Sequence, residues 1–391
     1  MPYAGEFTLS RLERVVSGPG TIAVLGAELD RLQRSRAIVV TGRTLGASPL
    51  LAQVTGALDS RCASVFTGAR QHVPESSVRE LVGVIRDTRA DCLVSFGGGS
   101  PIDMAKVALN AALTAGGTAA GTERDPAIMH VAVPTTLSAS EYTSVAGVTD
   151  DHTRVKRAVS DTRATARVVI CDPVLTAATP DWLWAATGMR ALDHAIEVMY
   201  AARHHPFTDT LGAKAISLFA RHLVPSARSE GEARESDQSD PTRLDHRAEC
   251  LMASWFSVVG LTHAGFGVSH ALGHQLGPRW DIPHGITSCL TLPHAMRLMA
   301  SLAPERFEGI AQGFGVPWDE ERPKTAALAC ADRVAALITQ LGLTSRMRDL
   351  NIPREDLPPI AARVHEGMMK AGVVDRPVRL EDVQALLDAA Y

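Results

Sequence analysis

The chain has 391 residues, 46% of them apolar and 21% charged, with a formal net charge of -4. That length exceeds what one hydrophobic core sustains and favours two domains, each with enough apolar material to bury. The mild negative charge excludes a nucleic-acid binder, which needs a basic face, and no unbroken apolar run of about 18 residues offers a membrane span.

In chain order, the opening Met1-Pro2-Tyr3-Ala4-Gly5-Glu6 lacks the charged and apolar regions of a signal peptide. Six cysteines (Cys62, Cys92, Cys171, Cys250, Cys289 and Cys330) are scattered without CxxC spacing. Buried thiols in a reducing cytoplasm are therefore expected. Short β-rich runs follow at Ala37–Thr41, Ala63–Phe66, Cys92–Phe96, Met129–Val133 and Val168–Cys171, with helical patterns at Ser76–Thr88 and Ile102–Thr114 between them. Such alternation predicts a parallel sheet covered by helices, with ligands at the carboxyl ends of the strands. Beyond Pro180 the β signal fades, and Asp181–Ala202, Asp209–His222, Arg243–Ser269, His294–Ala303, Thr325–Leu341 and Leu380–Ala390 read as helices. The predicted organisation is an α/β dinucleotide-binding domain over residues 1–178 and an all-helical catalytic domain over 179–391. Ser226–Thr242 is polar and nearly free of apolar residues, which predicts a surface loop.

The segment Ser95-Phe96-Gly97-Gly98-Gly99-Ser100-Pro101-Ile102-Asp103 is a strand running through three glycines into a helix start. Glycines let the backbone approach an anion without obstruction by Cβ. Ser100 is placed as N-cap, Pro101 at the first helical position and Asp103 three residues beyond the cap. A second strand runs into Pro134-Thr135-Thr136-Leu137-Ser138-Ala139-Ser140-Glu141, which puts four hydroxyls at a strand end. Either segment alone passes for a tight turn; together they favour a dinucleotide. The GxGxxG fingerprint is absent, and Ala37–Thr41 is followed by Gly42-Arg43 with no carboxylate to repel a ribose 2′-phosphate. Either NADH or NADPH is compatible, and Arg43 can attract the latter.

Of the 14 histidines, His270, His274 and His284 fall within one short stretch. His270 and His274 share a helical face, and His284 lies in a Pro/Gly turn able to fold back on them. Upstream, Arg190, Asp193, His194 and Glu197 form one stripe of a helix. Imidazoles converging from two helices can hold a metal or poise a proton.

Together these segments resemble the iron-containing alcohol dehydrogenase superfamily over nearly the whole chain. The matches run from Gly18-Pro19-Gly20 through Gly97–Ser100 with Asp103 and Lys106, Pro134-Thr135-Thr136 with Ser140-Glu141, Asp172-Pro173 and Gly188–Glu197, to His270–Gly285 and Leu292-Pro293-His294. Phe66–Pro74, and Lys156-Arg157 ahead of Val169–Pro173, look most like the maleylacetate reductase branch, whose members reduce an unsaturated oxo-dicarboxylate. The resemblance implies a two-domain fold of the dehydroquinate synthase-like kind, a homodimer and a nicotinamide cofactor. Lys156 joins Gly97, Gly98, Gly99, Ser100, Asp103, Thr135, Thr136, Ser140 and Arg43 as a cofactor-site candidate.

The family's metal ligands would map to His194, His270 and His284, with His274 as a further active-site histidine. The family's Asp position, however, holds Arg190. A guanidinium about 4 Å from a divalent cation is repelled by roughly 8 kcal/mol at an effective dielectric of 20. The expectation is therefore a metal-free site. Were a metal bound, Asp193 would serve with His194, His270 and His284, although its direction along the stripe is poorer.

The expected chemistry is reduction of a small carbonyl compound by NADH or NADPH. Arg190, with His270 or His284, would stabilise the developing oxyanion, and His274 would relay a proton. Arg190 can alternatively clamp a substrate carboxylate, or simply pair with Asp193 or Glu197 along its own helix. The competing functions are a metal-dependent alcohol or aldehyde dehydrogenase, and a lyase resembling dehydroquinate synthase.

Overall fold

The computed structural model describes residues 6–115, 121–122, 125–153, 155–227, 240–372 and 376–391. It divides into two compact units, one formed by Leu9–Ala178 and the other by Thr179–Tyr391 together with the described residues 6–8.

The first unit holds β1 (Arg14–Ser17), α1 (Leu25–Arg31), β2 (Ala37–Val40), α2 (Arg43–Gly46), α3 (Leu50–Leu58), β3 (Cys62–Phe66) and α4 (Glu75–Thr88). It continues with β4 (Cys92–Gly97), α5 (Gly99–Ala115), β5 (Met129–Pro134), β6 (Val145–Thr149), β7 (Lys156–Ser160) and β8 (Val168–Cys171). Six strands form a sheet in the order β1-β8-β5-β4-β2-β3, and every pair is parallel. Successive side chains of these strands feed opposite cores. Ala37, Val39, Cys92, Val94 and Phe96 pack with Leu25, Leu29, Val54 and Leu58 of α1 and α3. Ile38, Val40 and Leu93 pack with Leu81, Ile85, Met104 and Leu109 of α4 and α5. Burial on both faces explains why these strands read as unbroken apolar runs rather than as alternating patterns.

The chain leaves β2 towards β3 on one side and returns to place β4 on the other. Such a reversal opens a crevice at the carboxyl ends of β2 and β4, where ligands of open α/β sheets bind. β6 and β7 form a separate antiparallel hairpin. Neither β1 nor this hairpin stands out in the sequence, because both are short and half-exposed.

The second unit is helical: α6 (Asp181–Tyr200), α7 (Pro206–Ser226), α8 (Pro241–Val258), α9 (Leu261–Ala264), α10 (Val268–Trp280) and α11 (His284–Leu302). α12 (Glu308–Phe314), α13 (Pro323–Gln340), α14 (Leu357–Ala371) and α15 (Leu380–Ala390) complete it. From Gly188 to Tyr200 α6 is buried all round, so its polar residues are interior groups rather than a solvated face.

The span Arg243–Ser269 is not one helix: α8 stops at Val258 and α10 starts at Val268. Three glycines make the break. A Cβ on Gly260 would sit 2.5 Å from Val198 Cγ1, Gly265 has a φ of +87°, and a Cβ on Gly267 would sit 2.4 Å from Glu197 Oε1. His284 is not in a turn but opens α11, which continues through Pro293 to Leu302. The turn is instead made by Asp281 in the left-handed region and extended Pro283. The expected surface loop Ser226–Thr242 is too wide: Ser226 ends α7 and is buried, Pro241 and Thr242 open α8, and residues 228–239 lie outside the described residues. Among the described residues no helix is long and apolar enough to cross a membrane.

Candidate active site

Two polar centres stand out, one in each unit. In the first unit, β4 ends at Gly97 with a φ of +141°, a conformation L side chains rarely adopt. α5 begins at Gly99, so Ser100 and Pro101 lie within its first turn rather than at the cap and first position. Gly98 faces Thr136: a Cβ there would meet Thr136 Cγ2 at 3.0 Å and Oγ1 at 3.1 Å. Gly99 likewise faces Ser138 Oγ, at 3.3 Å. Thr135 N–H donates to Gly97 O at 2.9 Å, tying the two strand ends together.

Thr136 Oγ1, Ser138 Oγ and Thr41 Oγ1 are buried and make no hydrogen bond. Orphaned hydroxyls carry a desolvation cost of about 1–3 kcal/mol each unless a partner arrives. A bare glycine backbone beside them, at the N-terminal end of a 17-residue helix, is a seat suited to phosphate oxygens.

Asp103, Ser140, Lys156 and Arg43, the other predicted cofactor residues, are placed differently. Lys106 is 1% exposed and donates to Ser140 O and Oγ at 2.8 Å and to Val145 O at 2.6 Å. Asp103 lies 3.1 Å from the same ammonium and accepts the Ser140 hydroxyl. Asp103 and Ser140 thus engage each other, in a latch that fixes the loop after β5 to α5. Lys156 lies on β7 against Gly147, and Arg43 is exposed at the start of α2, beyond the end of β2.

In the second unit, α6, α10 and α11 bring the predicted histidines together. The rings of His194 and His270 are 4.9 Å apart, and those of His274 and His284 6.1 Å. Phe266, which the sequence did not single out, is 38% exposed and stacks on His270 at 5.3 Å and edge-on to His274 at 5.2 Å. His274 is exposed and His284 half-buried, whereas His194 and His270 are buried. Burial, with the nearby His270 and Arg190, holds His194 well below the usual histidine range, so it is neutral. Burial and Arg190 also push His270 down, but Asp193 and Glu197 outweigh them and its pKa rises.

Arg190 is buried inside this group. Its Nη1 donates to Ser288 Oγ at 3.3 Å and lies 3.8 Å from Asp193 Oδ2. Burial lowers its pKa, opposed by Asp193 and Glu197, yet a guanidinium stays charged at any physiological pH. Pairing along its own helix is therefore real, though loose, and the second partner is on α11. Ser288 was invisible while His284 was read as a turn residue. Once His284 opens α11, Ser288 is one helical turn away on the same face.

Whether a divalent ion fits can be read from the donor atoms. Among the described residues, Asp193, Glu197 and His270 are the group whose ligand atoms lie within 4.8 Å of one another. Part of this set is committed to hydrogen bonds, whereas Asp193 Oδ1 and His270 Nε2 are not. Glu197 accepts His270 Nδ1 at 2.7 Å and the backbone N–H groups of Gly267 and Ser269 at 2.9 and 2.8 Å. Asp193 Oδ2 accepts Ser269 Oγ at 2.8 Å. The group does not include His194 or His284, and Arg190 adds a fixed positive charge. As arranged, the residues form a hydrogen-bonded network beside a fixed positive charge that disfavours a divalent ion. Buried polar atoms remain at Asp193 Oδ1, His194 Nδ1 and His270 Nε2, which make no hydrogen bond. They are suited to a polar substrate atom.

Residues 13–173 match the model of the iron-containing alcohol dehydrogenase family, and 184–391 match the C-terminal model of the same family. The chain is 30% identical to maleylacetate reductase of Burkholderia cepacia, over 98% of this chain and 96% of that one. It is 29% identical to lactaldehyde reductase of Escherichia coli K12, over 96% and 97%. Among solved structures, an alcohol dehydrogenase from Oenococcus oeni superposes with a TM-score of 0.84 at 26% identity, covering 99% of this chain and 100% of that one.

Proposed function

The chain belongs to the iron-containing alcohol dehydrogenase family, and on that premise we propose that it is a NADH- or NADPH-dependent reductase of a small oxo-acid, working without a metal. The observation that carries the proposal is the buried guanidinium of Arg190 among His194, His270 and Asp193. The family relatives named above include reductases of an aldehyde and of maleylacetate, and maleylacetate is the best single candidate here. An anionic oxo-acid suits a site with a permanent positive charge, because a guanidinium can take a carboxylate or a developing alkoxide.

A bound reduced nicotinamide would supply a hydride to the carbonyl carbon, leaving the C=O π electrons on oxygen. Arg190, with His270 or His284, stabilises that charge. The exposed His274 passes the proton that completes the alcohol. The amides beyond Gly97 and the hydroxyls of Thr136 and Ser138 would hold the cofactor's phosphates. Arg43, with no carboxylate beside it, favours a 2′-phosphate. We further propose a homodimer in the cytoplasm, acting on a free small molecule.

A second reading, metal-dependent alcohol or aldehyde reduction, is favoured by the closely spaced donor atoms of Asp193, Glu197 and His270. A panel of oxo-acids and aldehydes, each with NADH and NADPH and with or without added iron or zinc, separates the two. Turnover of oxo-acids without metal supports the first reading; turnover of simple aldehydes only with metal supports the second. No net consumption of either nucleotide would remove both and leave lyase chemistry.

A further inference from the structure

We propose that Glu197 is a positioning residue of the site: reaching from α6 to the first turn of α10, its carboxylate fixes the ring orientation and tautomer of His270, so that Nε2 is the atom offered to substrate. Every group directed at this carboxylate is a donor. Oε2 receives Gly267 N–H at 2.9 Å, His270 Nδ1 at 2.7 Å and, more weakly, His270 N–H at 3.3 Å. Oε1 receives Ser269 N–H at 2.8 Å and Tyr200 Oη at 3.3 Å. The side chain thus caps a helix on another element, satisfying amides that α10 cannot satisfy itself. The same oxygen that caps the helix also holds the histidine ring.

An acceptor at Nδ1 requires the ring hydrogen to sit there, and Nε2 is then the atom left for other partners. Nε2 is buried and makes no hydrogen bond, beside the His194 ring and beneath Phe266. Asp193 cannot replace Glu197 in this role. Its Oδ1 is 3.5 Å from Nδ1, too long for a good hydrogen bond, and its Oδ2 takes the Ser269 hydroxyl. The local backbone agrees: a Cβ at position 267 would sit 2.5 Å from the Glu197 carboxyl carbon, so glycine is required for the carboxylate to come this close. This arrangement also accounts for three closely spaced donor groups without an ion, since an orienting carboxylate behind a histidine does the same work whether the ring faces a metal or a substrate.

The inference rests on the reductase reading for its kinetic consequence but not for its structural one, and the test keeps them apart. In apo-protein labelled with 15N-histidine, the His270 resonances, assigned by their loss in His270→Gln, should show hydrogen on Nδ1. In Glu197→Gln the amide nitrogen faces the ring or the backbone donors, and the His270 hydrogen should move to Nε2. With turnover as readout, Glu197→Gln should lower kcat by roughly 100-fold, while KM and the cofactor Kd stay within about threefold. Should that variant fail to fold, the wild-type spectrum still decides. A wild-type His270 carrying its hydrogen on Nε2 and none on Nδ1, an unchanged tautomer in Glu197→Gln, or an unchanged kcat would each overturn the proposal. Absence of any nicotinamide turnover in the wild type would sink the reductase reading and leave the tautomer measurement to judge the positioning.

Discussion

Replacing Arg190 by aspartate should turn this site into one that binds a divalent cation. Arg190 Nη1 lies 3.8 Å from Asp193 Oδ2 and 3.3 Å from Ser288 Oγ, so its charge sits within the layer that holds the orphaned His194 Nδ1. At about 4 Å and an effective dielectric of 20, a single positive charge repels a divalent ion by roughly 8 kcal/mol, and a carboxylate there reverses the sign. Side-chain movement and desolvation will consume most of that swing. Even a quarter of the full change, about 4 kcal/mol, is close to a thousandfold in Kd. Cobalt binding, followed by its visible absorption and by metal content after dialysis, should be at least a hundredfold tighter in Arg190→Asp than in wild type. Without metal the variant crowds a new carboxylate against Asp193, so its Tm should fall in chelator and recover on adding the ion. Wild-type protein binding cobalt as tightly as the variant would refute the electrostatic reasoning outright.

Three further outcomes follow from particular contacts. Gly98→Ala puts a Cβ about 3 Å from Thr136; it should weaken NADH and NADPH binding at least tenfold in fluorescence titrations while the unfolding transition barely moves. Arg43→Ala should raise the KM for NADPH and leave that for NADH unchanged, a loss of uniform binding to the 2′-phosphate. Glu141 is fully buried with neither oxygen hydrogen-bonded, and burial pushes its pKa up to about 7, partly offset by its own backbone and by Lys106. Its folded pKa is therefore raised, so its relative contribution is present below about pH 4.5 and is lost as pH rises through 7. Glu141→Gln should accordingly gain about 3 kcal/mol of stability at pH 8 and almost nothing at pH 4, read from denaturant unfolding at the two pH values.

The first unit was legible where its physics is local. Cys92–Gly97 and Met129–Pro134 are buried on both faces, so their apolar runs announced central strands, and three glycines before a helix announced the turn. β1 was not legible, because Arg14–Ser17 becomes a strand only by pairing with β8 across the whole unit. In the helical unit the stripe Arg190, Asp193, His194 and Glu197 was readable from periodicity. Its partners were not. Gly267 exists to admit Glu197, and Ser288 meets Arg190 only because α11 begins at His284; both are long-range contacts that no periodicity encodes.

The most direct test is turnover of maleylacetate by protein stripped with a strong chelator and verified free of iron and zinc. The account predicts an undiminished rate of NADH or NADPH oxidation that adding either ion does not raise. A rate abolished by stripping and restored by stoichiometric metal would contradict it.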